Sequence, residues 1–279
     1  MPRTIRVAHS PDSDDAFMFW ALAANKIDTG DLRFEHELQD IETLNRRAMA
    51  GELDVTAVSI HAYAYLSARY ALLPHGASMG EGYGPRVVSL KELRPGDLAG
   101  RRIAVPGTLT SAYLALKMFQ PGWEPEVVAF DRIIQHVAEG RAEAGLIIHE
   151  GQLTFQDAGL HLVADLGEWW AKETGGLPLP LGGNVIRRDL GDDLMLEVSR
   201  VLRASIAYGL KHRREALRHA RHYGRGLTDA QTDEFVGMYV NQRTLDYGEE
   251  GRRAVQLFLD RGFEAGLIPR RIAVSFVGD

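Results

Sequence analysis

Three segments of the sequence place polar side chains directly after short apolar runs. They are residues 9–15 (HSPDSDD), residues 107–111 (GTLTS) and the pair His149-Glu150. Loops beyond the carboxyl ends of parallel strands are where α/β proteins bind their ligands. The three segments together therefore predict a ligand site, and each contributes a different kind of chemistry.

His149 is the residue best suited to proton transfer. It follows the apolar residues 144–148 (AGLII), which predict a buried strand with the imidazole at its carboxyl end. An imidazole titrates near neutral pH and can act as a general acid or base. The chain has ten histidines, so a structural histidine with satisfied hydrogen bonds is the competing interpretation.

The other two segments precede predicted helices. Backbone N–H groups at the start of a helix over 111–119, with the hydroxyls of Thr110 and Ser111, could hold one carboxylate. Helix capping by Thr108 or Thr110 explains the same residues equally well. In the first segment Ser13, Asp14 and Asp15 could likewise cap a helix and complement its dipole. No Gly-Lys-Ser/Thr or dinucleotide fingerprint accompanies these segments.

Composition excludes several classes of protein. The chain has 279 residues with a net charge of −6, which is not the charge of a nucleic-acid binder. The basic run 211–225 is interpreted as a solvated helix face. The absence of cysteine excludes disulfides and thiolate zinc sites. No cluster has metal-ligand spacing, so we expect neither a metal nor a cofactor.

The expected location is the cytoplasm. The longest apolar run, 16–24, is too short to cross a bilayer, and residues 1–10 lack the apolar stretch of a secretory signal. We therefore expect a small-molecule carboxylate as partner, with no nucleic acid and no membrane insertion. Nothing in the sequence indicates the oligomeric state.

The elements that position these segments alternate between strands and helices. Such alternation predicts βαβ units and mixed, mainly parallel sheets. Strands are predicted over 5–9, 32–37, 55–59, 102–106, 126–130, 144–149 and 161–164, and helices over 14–25, 41–50, 62–68, 111–119, 132–139 and 168–173. After about residue 190 the pattern is mostly that of amphipathic helices.

Two interruptions of this pattern predict a two-lobed α/β protein. Residues 93–100 and the run 175–183, too rich in Gly and Pro for a regular element, are the candidate crossings. The predicted lobes are 1–96 plus 190–279, and 97–189. A ligand would lie in the cleft between them.

Taken together, these segments resemble the menaquinone-biosynthesis family, and within it the naphthoate synthase branch. The resemblance covers nearly the whole chain and is carried by ordered motifs. They include Ser10-Pro11, Asp15-Ala16-Phe17, residues 41–46 (IETLNR), 110–113 (TSAY), 145–150 (GLIIHE) and 177–182 (LPLPLG). It implies the fold of type II periplasmic binding proteins, used for chemistry.

The resemblance also implies a reaction and roles for residues. The reaction is the opening of cyclic dehypoxanthinylfutalosine to 1,4-dihydroxy-6-naphthoate, a carbon–carbon bond cleavage. His149 falls where the family has its proton acceptor. Residues that fall in or beside the substrate-binding positions are Ser10, Asp15, Ala57, Val58, Ser59, Thr110 and Ser111.

The sequence departs from the family at three places, one of which is His61, where a small residue is expected. Members carry Cys-Pro-Asn where this chain has Asp12-Ser13-Asp14, and Arg-Phe-Thr-Tyr where it has residues 152–155 (QLTF). These differences leave room for a diverged paralogue with a related substrate. A chorismate dehydratase-like paralogue and a non-catalytic protein that binds a small carboxylate solute are the alternatives.

Overall fold

The computed structural model describes residues 3–279 and contains two mixed sheets. In the first sheet the strand order is β2-β1-β3-β11-β4, and β5 also pairs with β11. Strand β1 runs parallel to β2 and β3, whereas β11 runs antiparallel to its three neighbours. These strands are β1 (Arg3–His9), β2 (Leu32–Leu38), β3 (Val55–Ser59), β4 (Tyr70–Leu72), β5 (Ser78–Gly80) and β11 (Leu179–Arg187).

The second sheet has five strands in the order β10-β6-β9-β7-β8. Strand β7 runs parallel to β8 and β9, and β6 runs antiparallel to β9 and β10. The strands are β6 (Arg86–Ser89), β7 (Arg102–Val105), β8 (Glu124–Val127), β9 (Ala144–Ile147) and β10 (His161–Asp165).

Helices cover the sheets and form the C-terminal region, as the amphipathic pattern predicts. Those before residue 190 are α1 (Ser13–Ala23), α2 (Ile41–Ala50), α3 (Ile60–Leu66), α4 (Ser111–Phe119), α5 (Ile133–Ala138), α6 (Gly151–Thr154) and α7 (Leu166–Thr174). Those after it are α8 (Asp192–Lys211), α9 (Arg213–Ala220), α10 (Asp229–Tyr239), α11 (Gln242–Leu245) and α12 (Gly248–Glu264).

Local sequence explains the elements nearest the cleft. Every residue of β3 and of β9 is buried, which matches their apolar sequences and central positions. Helix α2 begins after Asp40, whose carboxylate accepts a hydrogen bond from Thr43 N, and it ends at Gly51 with φ 75°. A side-chain cap at the start and a left-handed glycine at the end are strong helix boundaries.

The structure corrects the interpretation of residues 175–183 as irregular. Residues 179–183 open β11, in which Pro180 is aligned with Met79 and the register shifts before Gly182. A strand tolerates proline at such an irregularity because the missing N–H group falls where the ladder is interrupted. Of the predicted strands, β3 alone has the predicted bounds. At their carboxyl ends β8 and β9 differ most, ending at Val127 and Ile147, and the bounds of the others differ by one or two residues.

Strand membership differs from the predicted lobe boundaries. Strand β6 lies before residue 97 but pairs in the second sheet, and β11 lies before residue 190 but pairs in the first. One continuous apolar cluster includes Leu72 of the first sheet and Leu146 of the second. The division into lobes at 96/97 and 189/190 stays a prediction.

Candidate active site

The carboxyl ends of four strands, two from each sheet, meet at one cavity. The loop after β1, the end of β3, the start of α4 after β7 and the turn after β9 all contribute to its wall. The cavity holds about 730 Å³ of empty space, its open mouth included. Every residue predicted for the site lines it: Ser10, Asp15, Ala57, Val58, Ser59, Thr110, Ser111 and His149.

His149 is held in an unusual backbone conformation beside the cavity. It lies two residues beyond the end of β9, with φ 57°, in the left-handed region that few non-glycine residues adopt. Its Nδ1 lies 2.9 Å from Oδ2 of Asp12. Its Nε2 is buried and has no hydrogen-bond partner among residues 3–279. The contact with Asp12 therefore orients the ring and leaves the second nitrogen free to accept a proton.

Asp12 acts on His149 instead of capping helix α1. It occupies the N-cap position of α1 but makes no side-chain capping hydrogen bond. Burial would raise the pKa of Asp12, but the charge of His149 and the hydrogen bond between them lower it well below its usual range. Burial would conversely lower the pKa of His149, and the charge and hydrogen bond of Asp12 raise it above 6.5. The pair thus favours a charged carboxylate beside a protonatable imidazole.

Asp14 and Asp15 differ from Asp12 in their charge state. Burial, followed by the negative charge of Asp12, raises the pKa of both carboxyls well above their usual range. Oδ2 of Asp15 accepts a hydrogen bond of 2.7 Å from the backbone N–H group of Ser10. The protonated form of a carboxyl can donate a hydrogen bond, so this wall offers both donors and acceptors.

The opposite wall combines backbone and hydroxyl groups. Ser59 is fixed by Asn45, whose Oδ1 accepts from Ser59 N at 2.9 Å. The hydroxyl of Thr110 caps α4 by accepting from Tyr113 N at 3.1 Å. The hydroxyl of Ser111 accepts from His61 N at 3.1 Å and donates to the carbonyl oxygen of Leu181. Both hydroxyls thus have structural roles, and their role in binding a carboxylate stays a prediction.

Glu42 occupies part of the turn predicted to bind an anion. Its Oε2 accepts a hydrogen bond of 3.2 Å from Leu109 N. A Cβ atom added to Gly107 would lie 2.3 Å from the same oxygen, so glycine is required there for the carboxylate to approach. The turn does bind a carboxylate, but in this structure the carboxylate belongs to the protein.

His9 and His61 are poor alternatives to His149 as a base. Burial lowers the pKa of each to about 4, so both imidazoles are weak bases at neutral pH. Neither residue lines the cavity. The charge of Asp12 also raises the pKa of His9, but burial outweighs it there, whereas at His149 the net change in pKa is upward.

Sequence reasoning missed several residues of the site. Gln152, Asn184 and Tyr239 line the cavity, and the Tyr239 hydroxyl donates to Oε1 of Gln152 at 2.7 Å. Asn184 aligns with Ala57 across β11 and β3, and its Nδ2 is buried without a partner in the described chain. The signal that could have found Asn184 is its position directly after the run 175–183, whose Gly and Pro content predicts an irregular segment although residues 179–183 belong to β11.

The described part of the chain shows neither a metal site nor a membrane-spanning segment. Over residues 3–279, no group of three His, Cys, Asp or Glu side chains is arranged to hold a metal ion. No helix in that range is both long enough and apolar enough to cross a membrane.

Comparison with known structures confirms the predicted fold class. An alkanesulfonate-binding protein from Xanthomonas axonopodis, a periplasmic-binding-type protein, has a TM-score of 0.73 at 15% identity, covering 98% of this chain and 96% of that one. A crystal structure of a protein from Archaeoglobus fulgidus has a TM-score of 0.91 at 48% identity, over 95% of this chain and 98% of that one.

Sequence comparison identifies the family. A curated 1,4-dihydroxy-6-naphthoate synthase from Thermus thermophilus is 44% identical over 251 residues, which are 90% of this chain and 91% of the relative. A family model described as menaquinone biosynthesis matches residues 5–264. The two-sheet fold, the cavity at its strand ends and these matches agree, and the chain belongs to the menaquinone biosynthesis family.

Proposed function

We propose that this protein is a 1,4-dihydroxy-6-naphthoate synthase that opens cyclic dehypoxanthinylfutalosine by cleaving a carbon–carbon bond. Family membership and the activity named for the Thermus relative support the biosynthetic role. The observation that carries the mechanism is the contact of Asp12 with Nδ1 of His149, which leaves Nε2 without a protein partner. An oriented imidazole of this kind is suited to general base catalysis.

The proposed chemistry starts with removal of a substrate proton. When a hydroxyl proton leaves, its oxygen forms a new carbonyl, and the electron pair of the broken carbon–carbon bond moves onto the neighbouring carbonyl as an enolate. Nε2 of His149 accepts the proton, and Asp12 stabilises the resulting imidazolium. The enolate then regains a proton as the aromatic product forms.

The charges of the cavity indicate how the substrate is oriented. No arginine or lysine is among the described residues that line it, whereas Asp12, Asp14 and Asp15 surround the base. A substrate carboxylate beside the charged Asp12 would be repelled when His149 is neutral, so we place it at Ser59, Thr110 and the start of α4. Substrate hydroxyls then face the acidic wall, where Oδ1 of Asp12 and of Asp14 have no partner in the described chain.

The direct test is turnover. Purified protein is incubated with cyclic dehypoxanthinylfutalosine, and the naphthoate and the sugar-derived fragment are measured by mass spectrometry. We expect both products from the native chain and a large loss in the folded His149→Asn variant. Recovery of unchanged substrate from the native chain contradicts the proposed reaction.

A second candidate is a solute-binding protein, because the fold is shared with the alkanesulfonate-binding protein. Such a protein would bind the substrate and release it chemically unchanged, so the same incubation separates the two candidates. We favour the enzyme because a receptor has no need for a base held by a buried carboxylate. The cytoplasmic location expected from the sequence stays a prediction.

A further inference from the structure

Arg225 joins the two sides of the cleft above the candidate base. Its Nη2 donates to the backbone oxygen of Pro11 at 2.7 Å, in the loop after β1. Its Nη1 donates to Oε2 of Glu150 at 3.3 Å, in the turn after β9. The guanidinium carbon lies 4.5 Å from the centre of the Phe130 ring, on the segment between β8 and α5.

The backbone of Arg225 is held in a strained conformation by its neighbours. It lies between α9 and α10, with φ 40°, and glycines precede and follow it, of which Gly226 has φ 88°. A non-glycine residue with positive φ costs free energy and persists where surrounding contacts hold it. The contacts of the side chain with Pro11, Glu150 and Phe130 are the ones that hold it here.

Both residues that Arg225 contacts on the second-sheet side adjoin His149, one in space and one along the chain. The ring of Phe130 meets the imidazole edge-on, with 4.8 Å between their centres. Glu150 is the next residue in the chain, and its side chain is only 7% exposed. Its other oxygen accepts from the hydroxyl of Ser13 at 3.5 Å, so Glu150 is tied to the first-sheet side twice.

We infer that Arg225 is a positioning residue for the base, because it fixes the turn carrying His149 against the loop carrying Asp12. This inference rests on the proposed function of His149. It assigns a part in that function to a residue that does not line the cavity. A guanidinium suits the role, since its planar fork can donate in two directions while stacking on a ring. Without it the Asp12–His149 contact would depend on Ser13 and on the packing of the turn.

The pKa of His149 is a second measurable quantity, besides kcat, that depends on Arg225. Asp12 and Glu150 raise its pKa, Arg225 lowers it, and the nearby Asp15 is a further acidic group. Removal of the Arg225 charge by itself would raise this pKa, whereas a loosened Asp12–His149 contact removes the main raising cause and lowers it. The positioning role therefore predicts a lower pKa of His149 when Arg225 is lost. A change in fold stability alone would not move this pKa in that direction.

The experiment compares Arg225→Ala with a matched control, Arg221→Ala. Arg221 lies in the same connecting segment and pairs with Asp229, so it also carries an ion pair but makes none with the second-sheet side. For Arg225→Ala we expect kcat to fall about 10- to 100-fold with KM changed less, because the reacting groups are misplaced. The acid limb of the pH–rate profile should move to lower pH, as it should when the Asp12 charge is removed. Arg221→Ala should behave as the native chain.

Two further variants separate positioning from simple charge balance. Arg225→Ala leaves Glu150 buried without its cation, which by itself can destabilise the turn. The double variant Arg225→Ala/Glu150→Gln removes both charges, and we expect it to remain impaired because the contacts with Pro11 and Phe130 are still lost. Arg225→Lys keeps the charge and should recover only part of kcat. Full recovery of kcat in the double variant would overturn the inference.

NMR titration of the His149 ring makes the test independent of turnover. We expect a lower pKa for His149 in Arg225→Ala than in the native protein and in Arg221→Ala, and a higher pKa with native kcat would show loss of charge alone and overturn the inference. An unchanged His149 titration together with native kcat overturns the positioning role. If the native chain fails to turn over cyclic dehypoxanthinylfutalosine, the proposed function fails, and the titration still decides whether Arg225 controls the imidazole.

Discussion

The carboxylate of Asp12 lies 2.9 Å from Nδ1 of His149, although the two residues follow strands of different sheets. The largest contribution that raises the pKa of the imidazole therefore comes from across the cleft, and Glu150 of its own turn adds a smaller one. Asp12 also lies at the N-cap position of α1 without making a capping hydrogen bond, so its carboxylate contacts the histidine instead.

Replacing His149 by Asn should abolish most of the turnover while the protein stays folded. Asparagine tolerates positive φ better than most residues, so the backbone at φ 57° can be kept, but its amide cannot accept a proton as a base. We expect kcat to fall by at least ~10²-fold. His161→Asn, at a half-exposed histidine far from the cavity, is the control. Native turnover in folded His149→Asn would exclude His149 as the base.

The activity of the native protein should rise with pH through a midpoint above 6.5. The reason is that Asp12 raises the pKa of His149, and only the neutral imidazole accepts a proton. In Asp12→Asn the raising charge is gone and burial remains, so the midpoint should move to lower pH while kcat falls about 10- to 100-fold. The check is the pH dependence of kcat/KM, with the exposed Asp193→Asn as control. A midpoint unchanged in Asp12→Asn would contradict the coupling.

Replacing Ser111 by Ala tests whether the cavity wall at the start of α4 binds the substrate carboxylate. If the hydroxyl binds the substrate carboxylate, affinity should weaken by about 1.5–3 kcal/mol, the value for a hydrogen bond to a charged group. The variant also loses the contacts with His61 N and Leu181 O, so Tm should fall slightly. Isothermal titration and thermal unfolding measure the two effects. A lower Tm with unchanged affinity would assign Ser111 to structure alone.

Asn184→Ala should weaken substrate binding without destabilising the fold. Nδ2 of Asn184 is a buried donor with no partner in the described chain, on a residue that lines the cavity. Its removal relieves an unsatisfied group, while a neutral hydrogen bond to ligand is worth about 0.5–1.5 kcal/mol. We therefore expect KM to rise with Tm equal to or above the native value. A drop in Tm with native KM would show that the amide serves packing instead.

Asp14→Asn should stabilise the protein, and more so as pH rises. The folded state raises the pKa of Asp14, so it binds this proton more tightly than the unfolded chain does. That contribution to stability is complete below the unfolded pKa and is lost as pH rises through the folded pKa. Asparagine has no such loss, so the gain in Tm over the native chain should grow between pH 5 and 8, at roughly 2–4 °C per kcal/mol. A constant difference in Tm across this range would argue against the raised pKa.

Local sequence patterns were sufficient to predict several of the elements that carry the candidate site. Strand β3 and helices α2 and α4 have the predicted bounds, because their apolar spacing and end residues are strong signals. His149, Thr110 and Ser111 meet at one cavity because the carboxyl ends of parallel strands share an edge of the fold. Strand β11 was missed because Pro180 and the glycines around it have low strand propensity, and only its long-range pairing makes it a strand.

The partners of His149 could not be predicted for a different reason. Asp12 sits where an aspartate normally caps a helix, so its local sequence favoured capping over a contact across the cleft. Arg225 ends a run of basic residues that had been interpreted as a solvated face, and nothing in that run distinguishes it from Arg221. Contacts such as these depend on how distant segments pack, which spacing along one chain does not encode.

The carboxylate of Glu42 on the turn before α4 bears on which metabolites the protein can exclude. This side chain already takes the N–H group of Leu109, and its other oxygen forms an ion pair of 2.8 Å with Arg46. The turn thus has one backbone donor fewer for a ligand, and a phosphate ester, with three acceptor oxygens, needs more donors than a carboxylate does. We therefore expect this wall to favour carboxylic acids over phosphate esters.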